Sequence, residues 1–90
     1  MNIRFEKKFA KQYKKVPNFI KNAVNNRISI FNTDPFHLQL HNHQLTGSFK
    51  KYRSINITGD WRALFTETVD NEGSRTITFC VLGKHSQLYR

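Results

Sequence analysis

One cysteine, Cys80, is all the thiol chemistry the 90 residues carry. It cannot close an internal disulfide, which excludes a secreted disulfide scaffold. Set in an apolar run, it reads as a small core residue. No stretch approaches the roughly 18 consecutive apolar residues of a membrane span. Residues 1–4 run straight into charged sequence without a secretory leader pattern, so a cytoplasmic location and no membrane partner are expected. There is no GxSxG elbow, P-loop, GxGxxG, HExxH or cysteine pair. Serine or cysteine hydrolase triads, nucleotide cofactors and a zinc site therefore lack support, and neither cofactor nor metal is expected. Acids are also scarce. Six Asp and Glu face fifteen Lys and Arg, for a net charge of +9 and a pI near 10.1.

That imbalance favours an acidic partner such as nucleic acid or an acidic protein segment. It is unevenly spread. Residues 1–15 hold Arg4, Lys7, Lys8, Lys11, Lys14 and Lys15 against Glu6 alone, and residues 45–62 hold Lys50, Lys51, Arg53 and Arg62 against Asp60. Residues 63–90 are balanced. Two separate segments thus supply the basic surface.

The length allows one domain, residues 1–90, with a modest core and an open cleft rather than a deep pocket. Phe5, Phe9, Tyr13 and Val16 recur at helical spacing among lysines, which predicts an amphipathic helix over about 5–15. Pro17 breaks it and suits the start of a second helix over about 17–32, striped by Ile20, Ala23, Val24, Ile28 and Phe31. Residues 33–49 read as one long irregular stretch. Beyond it, Arg53, Ile55 and Ile57 alternate with Tyr52, Ser54 and Asn56, Gly59-Asp60 marks a turn, and strands follow over Trp61–Thr66 and Thr76–Leu82. Short strands are expected at Met1–Arg4 and Leu88–Arg90. The fold class is α+β: a two-layer domain with an N-terminal helical hairpin on an antiparallel sheet of about four strands. There are no repeats, linkers or low-complexity segments.

Histidine is the side chain suited to proton transfer near neutral pH, and arginine to a phosphate oxyanion through its bidentate fork. Aromatic rings hold splayed bases by stacking. His37, His41 and His43 lie in the irregular stretch, and His37 and His41 read as exposed loop residues. His43, Asp60-Trp61-Arg62 and His85 with Tyr89 fall close to strand ends. Such a set could cleave RNA, with a 2′-hydroxyl attacking the neighbouring phosphate. On composition it is one option among several.

Five pieces of sequence appear in a fixed order: Phe5-x-Lys7-Lys8-Phe9 through Tyr13-Lys14-Lys15, His43-Gln44-Leu45-Thr46-Gly47, Tyr52-Arg53, Asp60-Trp61-Arg62 and Gly83-Lys84-His85-Ser86-Gln87-Leu88-Tyr89. In that order and spacing the chain resembles the RelE/ParE toxin superfamily, and its YafQ-like branch above all. The resemblance implies a RelE-like fold and a ribosome-dependent, metal-independent mRNA endonuclease. It also implies a cognate antitoxin with an acidic segment, with operator DNA contacted only through the toxin–antitoxin complex. It casts His43 as general base, Asp60 as proton acceptor or orienter of His43, Arg62 as the guanidinium on the scissile phosphate, and His85 as general acid. Arg53, Trp61, Tyr89, Lys50 and Lys51 would bind substrate, although the strand alternation makes Trp61 equally a core residue. The chain departs from the pattern at Asn56, where YafQ-like toxins carry histidine, and at Val81, where they carry arginine, so Arg62 would supply the missing charge. Two other functions use related parts. ParE-like relatives share the fold and poison DNA gyrase, and a simple RNA- or DNA-binding module would need only the basic helix.

Overall fold

A computed structural model of the chain describes residues 1–88. Strand β1 (Asn2–Phe5) leads into helices α1 (Lys7–Lys15) and α2 (Asn18–Thr33); β2 (His43–Gln44), β3 (Arg53–Asn56), β4 (Trp61–Val69) and β5 (Arg75–Lys84) follow, and a single turn of helix, α3 (His85–Leu88), comes last. The strands form one five-stranded sheet in the order β1-β5-β4-β3-β2. Strands β2 to β5 pair antiparallel, whereas β1 lies parallel to β5 with Phe5 beside Phe79.

The expected α+β architecture is present, with a fifth strand and one parallel pairing added. Phe5 leaves the helical stripe assigned to it. It ends β1, and the Glu6 N–H still donates to the Phe79 carbonyl at 3.0 Å, so the chain turns helical only from Lys7. Its ring nonetheless meets Phe9 and Phe79, at 5.5 and 5.8 Å between centroids. Leu88 closes α3 instead of opening a strand, and the rest of the expected Leu88–Arg90 strand, Tyr89 included, lies outside the described residues.

Alternation along the strands divides the sheet into two faces. Ile55, Ile57, Ala63, Phe65, Ile77, Phe79 and Leu82 point toward the helices and are almost wholly buried beneath Phe9, Val16, Ile20, Val24 and Phe31. Phe31 stands edge-on to both Phe65 and Phe79, the arrangement aromatic quadrupoles favour. The opposite face presents His43, Ser54, Asn56, Leu64, Arg62 and Val81, which the strand register sets side by side. A bulge between Leu64 and Phe65 leaves Cys80 without a cross-strand partner on β4, and this bulge keeps Phe79 and Leu82 both on the helix side.

Cys80 is buried, as its apolar neighbours suggest. Burial, and next the Glu6 carboxylate beside it, pushes its thiol up to about 11. The native thiol is therefore protonated at neutral pH. Its contribution to stability is complete below the ordinary thiol range and is lost as pH climbs toward about 11, where the folded form also ionises. Iodoacetamide at neutral pH should label native Cys80 far more slowly than the denatured chain; equal rates would contradict this placement.

Strand β1 ends at Phe5, yet the edge of β5 continues to Lys84. The Gln12 side chain takes over there: its Oε1 accepts from the Leu82 N–H at 2.8 Å, tying α1 to the strand that leads into α3. Gln12→Ala leaves that partly buried N–H without its acceptor. A loss of about 1–3 kcal/mol is expected, read as a lower midpoint in urea with an unchanged slope.

Candidate functional site

The open face of the sheet holds a cleft of about 290 Å³ lined by His41, His43, Leu45, Asn56, Arg62 and His85. Its parts come from three distant stretches. His43 stands on edge strand β2 opposite Ser54, Asn56 pairs directly with Arg62 across β3 and β4, and Arg62 in turn pairs with Gly83 on β5. One residue further on, the chain leaves β5 and His85 opens α3. The short helix is held at its N-terminal end by two hydrogen bonds. Lys84 N–H donates to the Gln87 side chain at 3.0 Å, half of a capping box, and His85 N–H donates to the Asp60 carbonyl at 2.8 Å.

Histidines 43 and 85 therefore share one cleft with Arg62. Arg62 is anchored through a single nitrogen: Nη1 donates to the carbonyls of Thr58, Gly59 and Trp61 at 2.9, 3.2 and 3.0 Å. No carboxylate pairs with it among the described residues, where the one ion pair joins Arg75 and Glu67. Its remaining N–H groups and full charge are thus available to an anion. His43 Nδ1 lies 2.8 Å from the His41 carbonyl oxygen. A carbonyl only accepts, so Nδ1 carries the hydrogen, and the neutral ring presents an unprotonated Nε2.

Other expected site residues are placed elsewhere. Asp60 is exposed in the 58–60 turn; its carboxylate does not line the cleft and makes no bond to His43, and the residue acts through its main chain by holding His85. Arg53 shares the helix-side face with Ile55, so it points away from the cleft. Its Nε donates to Asn42 Oδ1 at 2.9 Å and its guanidinium lies over the Phe36 ring at 5.5 Å. Lys50 and Lys51 are exposed at the far end of β3 from the 58–60 turn, with Lys51 over the Tyr52 ring. Trp61 is half-buried and packs against the core under Lys84. Tyr89 lies outside the described residues.

His41 and Asn56 join the cleft without having been assigned a role in it. The signal for His41 was its position two residues before His43. The rings of the pair lie 4.6 Å apart between centroids. Asn56 holds a buried Oδ1 without a hydrogen-bond partner. A larger groove, about 400 Å³, lies between α1 and α2 and is walled by Phe5, Phe9, Tyr13, Val24 and Ile28. It is almost wholly apolar and has no pair of proton-transfer groups, so the smaller polar cleft is taken as the candidate site.

Gly83 sits buried beneath α3, and a Cβ built on it would come within 3.2 Å of Leu88 Cδ2. Gly83→Ala should push α3, and with it His85, by a few tenths of an ångström. The expected result is a well-folded chain with near-native thermal stability but lowered activity at the site. Unchanged activity would show that the position of His85 is not critical.

The model of the YafQ family, bacterial toxins of type II toxin–antitoxin systems, matches residues 1–90. Among solved structures, YafQ from E. coli strain BL21(DE3) superposes with a TM-score of 0.78 at 19% identity, over 99% of this chain and 98% of that one. The toxin in the E. coli DinJ–YafQ complex gives 0.71 at 22% identity, over 99% and 98%. A YoeB/ParE toxin from Agrobacterium tumefaciens gives 0.75 at 16% identity, over 94% and 99%. No curated protein sequence matches the chain. With a family match along its whole length and the same fold, the chain belongs to the YafQ family of bacterial type II toxin–antitoxin toxins.

Proposed function

We propose that this toxin is a metal-independent endoribonuclease that cuts mRNA on the ribosome. The observation that carries the reading is the convergence of His43, Arg62 and His85 on one open cleft. A plain binding surface has no need of two imidazoles flanking an unpaired guanidinium, whereas phosphodiester cleavage uses all three. In this reading, the 2′-oxygen forms a bond to phosphorus and its proton passes to His43 Nε2. The bond from phosphorus to the 5′-oxygen breaks, and protonated His85 gives its proton to that leaving oxygen. Arg62 holds the non-bridging oxygens while negative charge grows on them. The products are a 2′,3′-cyclic phosphate and a 5′-hydroxyl end. Asp60 serves as a backbone anchor for His85, and Arg53 as a pin for the loop that carries His43.

The exposed lysines of α1, Lys7, Lys8, Lys11, Lys14 and Lys15, suit ribosomal RNA phosphates, and binding through them would weaken steeply with salt. Lys50 and Lys51 are exposed and do not line the cleft, and their ammonium groups suit RNA phosphates separately from those of α1. YafQ is found in complex with DinJ, and a cognate antitoxin with an acidic segment fits this chain's charge of +9. Operator DNA would be met through that complex. Among the described residues, no helix is long and apolar enough to cross a membrane.

Primer extension on translated mRNA tests the activity. Cuts inside codons are expected with the wild type and none with His85→Ala, which should still fold and bind antitoxin. Arg62→Ala should lower the rate by about 3–4 kcal/mol of transition-state stabilisation, roughly 100-fold or more. Intact mRNA with double-strand DNA breaks would replace the nuclease with a gyrase poison, and full toxicity of His85→Ala would remove the assigned acid.

A further inference from the structure

Resting on the reading of His43 as base, we infer that the main chain of His41, held in a left-handed conformation, is the positioning element that makes His43 a proton acceptor. Among the described residues, His41 is the one non-glycine with positive φ, at φ 46° and ψ 50°. That conformation crowds Cβ against the following carbonyl in an L-residue and persists where the surroundings enforce it. Here the surroundings do. Leu40, immediately before, is fully buried. His41 N–H closes a 3₁₀ turn onto the Leu38 carbonyl at 3.3 Å. Asn42, immediately after, is clamped on both sides: its Nδ2 donates to the Pro35 carbonyl and its Oδ1 accepts from Arg53 Nε, each at 2.9 Å.

Between these anchors the left-handed turn aims the His41 carbonyl at His43 Nδ1, 2.8 Å away. The contact selects one tautomer. With hydrogen on Nδ1, the lone pair resides on Nε2, and a neutral imidazole can take a proton there. In the other tautomer, two lone pairs would face each other across 2.8 Å and Nε2 would be a donor, useless as a base. The side chain of His41 lies against His43 with ring centroids 4.6 Å apart, so it shares the cleft, but the geometry gives the tautomer lock to its carbonyl oxygen.

Backbone and ring are separable by substitution. Glycine and asparagine accept the left-handed region and keep the carbonyl while removing the imidazole; valine, branched at Cβ, rejects it. Histidine-labelled protein is examined by two-bond ¹H–¹⁵N correlation at a pH above the ordinary imidazole range, which identifies the tautomer of each ring. The companion measurement is kcat and KM for mRNA cleavage on ribosomes. Wild type, His41→Gly and His41→Asn should all show His43 with hydrogen on Nδ1; because the His41 ring lines the cleft, kcat is compared between the valine and glycine variants, which both lack it. His41→Val should show hydrogen moving to Nε2, with kcat lower than that of the glycine variant by roughly tenfold and KM nearly unchanged, short of the roughly 10²–10⁴ that a whole proton-transfer group contributes. Thermal melts confirm that each variant folds. Three results would overturn the inference: hydrogen on Nε2 of His43 in the wild type, a valine variant indistinguishable from the glycine one, or a glycine variant as impaired as the valine one. A wild type with the Nδ1–H form that cuts no RNA would end the nuclease reading and leave the tautomer lock standing.

Discussion

The edge-on contacts of Phe31 with Phe65 and Phe79, at 5.1 and 5.6 Å between ring centroids, hold the helical layer onto the sheet. Everything else follows from which face they cover. A five-stranded sheet in a chain this short cannot bury both sides. Once α1 and α2 claim the side bearing Phe65 and Phe79, the side bearing Asn56, Arg62 and Leu64 is left open, and strand alternation puts the polar groups there without further instruction. The cleft is the uncovered half of the same packing decision. Part of that face is nonetheless apolar: Leu64 is fully buried, and Leu45, nearly so, lines the cleft beside its polar groups.

The electrostatics of the cleft depend on what stays out of it. With a carboxylate paired to Arg62, the guanidinium would be neutralised and an anionic substrate repelled. Asp60 is the nearest acid in sequence, and the 58–60 turn uses its main chain while leaving its side chain outside. Two acids of the β4–β5 hairpin are likewise engaged locally. Glu67 meets Arg75, and Asp70 accepts from the backbone N–H groups of Glu72 and Ser74. A scarcity of acids that first reads as overall charge thus becomes, at the site, an unopposed cation beside two histidines.

Much of this was legible in the residues, for reasons that can be named. The stripes Ile20, Val24, Phe31 and Phe9, Tyr13 follow helical spacing because each must meet the sheet, and Ile55/Ile57, Ala63/Phe65 and Ile77/Phe79 follow period two for the same reason. Their agreement made the α+β layers readable. The parallel pairing of β1 was not. It joins residues more than 70 positions apart, and four residues ending in Phe5 fit either the end of a strand or the start of a helical stripe. Arg53 stands on the helix side, where its alternation with Ile55 and Ile57 puts it, and so lies outside the cleft in which the family resemblance implies a role for it. Asp60 could not have been resolved from sequence, because whether a turn aspartate works through its carboxylate or its carbonyl depends on where the following helix docks. The left-handed backbone at His41 had no sequence mark either, since neither glycine nor an Asn-Gly pair announces it.

The stretch from residue 33 to 49 reads as irregular, yet together with the residues up to Arg53 it behaves as a scaffold. Leu40 and Leu45 root it, Asn42 clamps it to Pro35 and Arg53, Leu45 N–H meets the Tyr52 carbonyl at 3.0 Å, and Gln44 Nε2 reaches the carbonyls of Tyr52 and Lys50. A loop carrying the proposed base, His43, has to meet two opposing demands. It must reach the open face, and it must hold its imidazole as firmly as a strand would. Here the loop meets both by borrowing two residues of strand, β2, for His43 itself and by pinning the turn before it on buried apolar groups and side-chain amides. On the other side of the cleft the solution is the reverse: His85 leaves the sheet on one turn of helix, and a backbone hydrogen bond from the Asp60 turn fixes it. The two imidazoles are thus held by unrelated local structures whose common reference is the sheet between them. Their separation is accordingly set by the register of β2 against β3, of β3 against β4 and of β4 against β5. A slip in one of these ladders would move a histidine to the wrong face, which ties the site's geometry to the same core contacts that hold the helices in place.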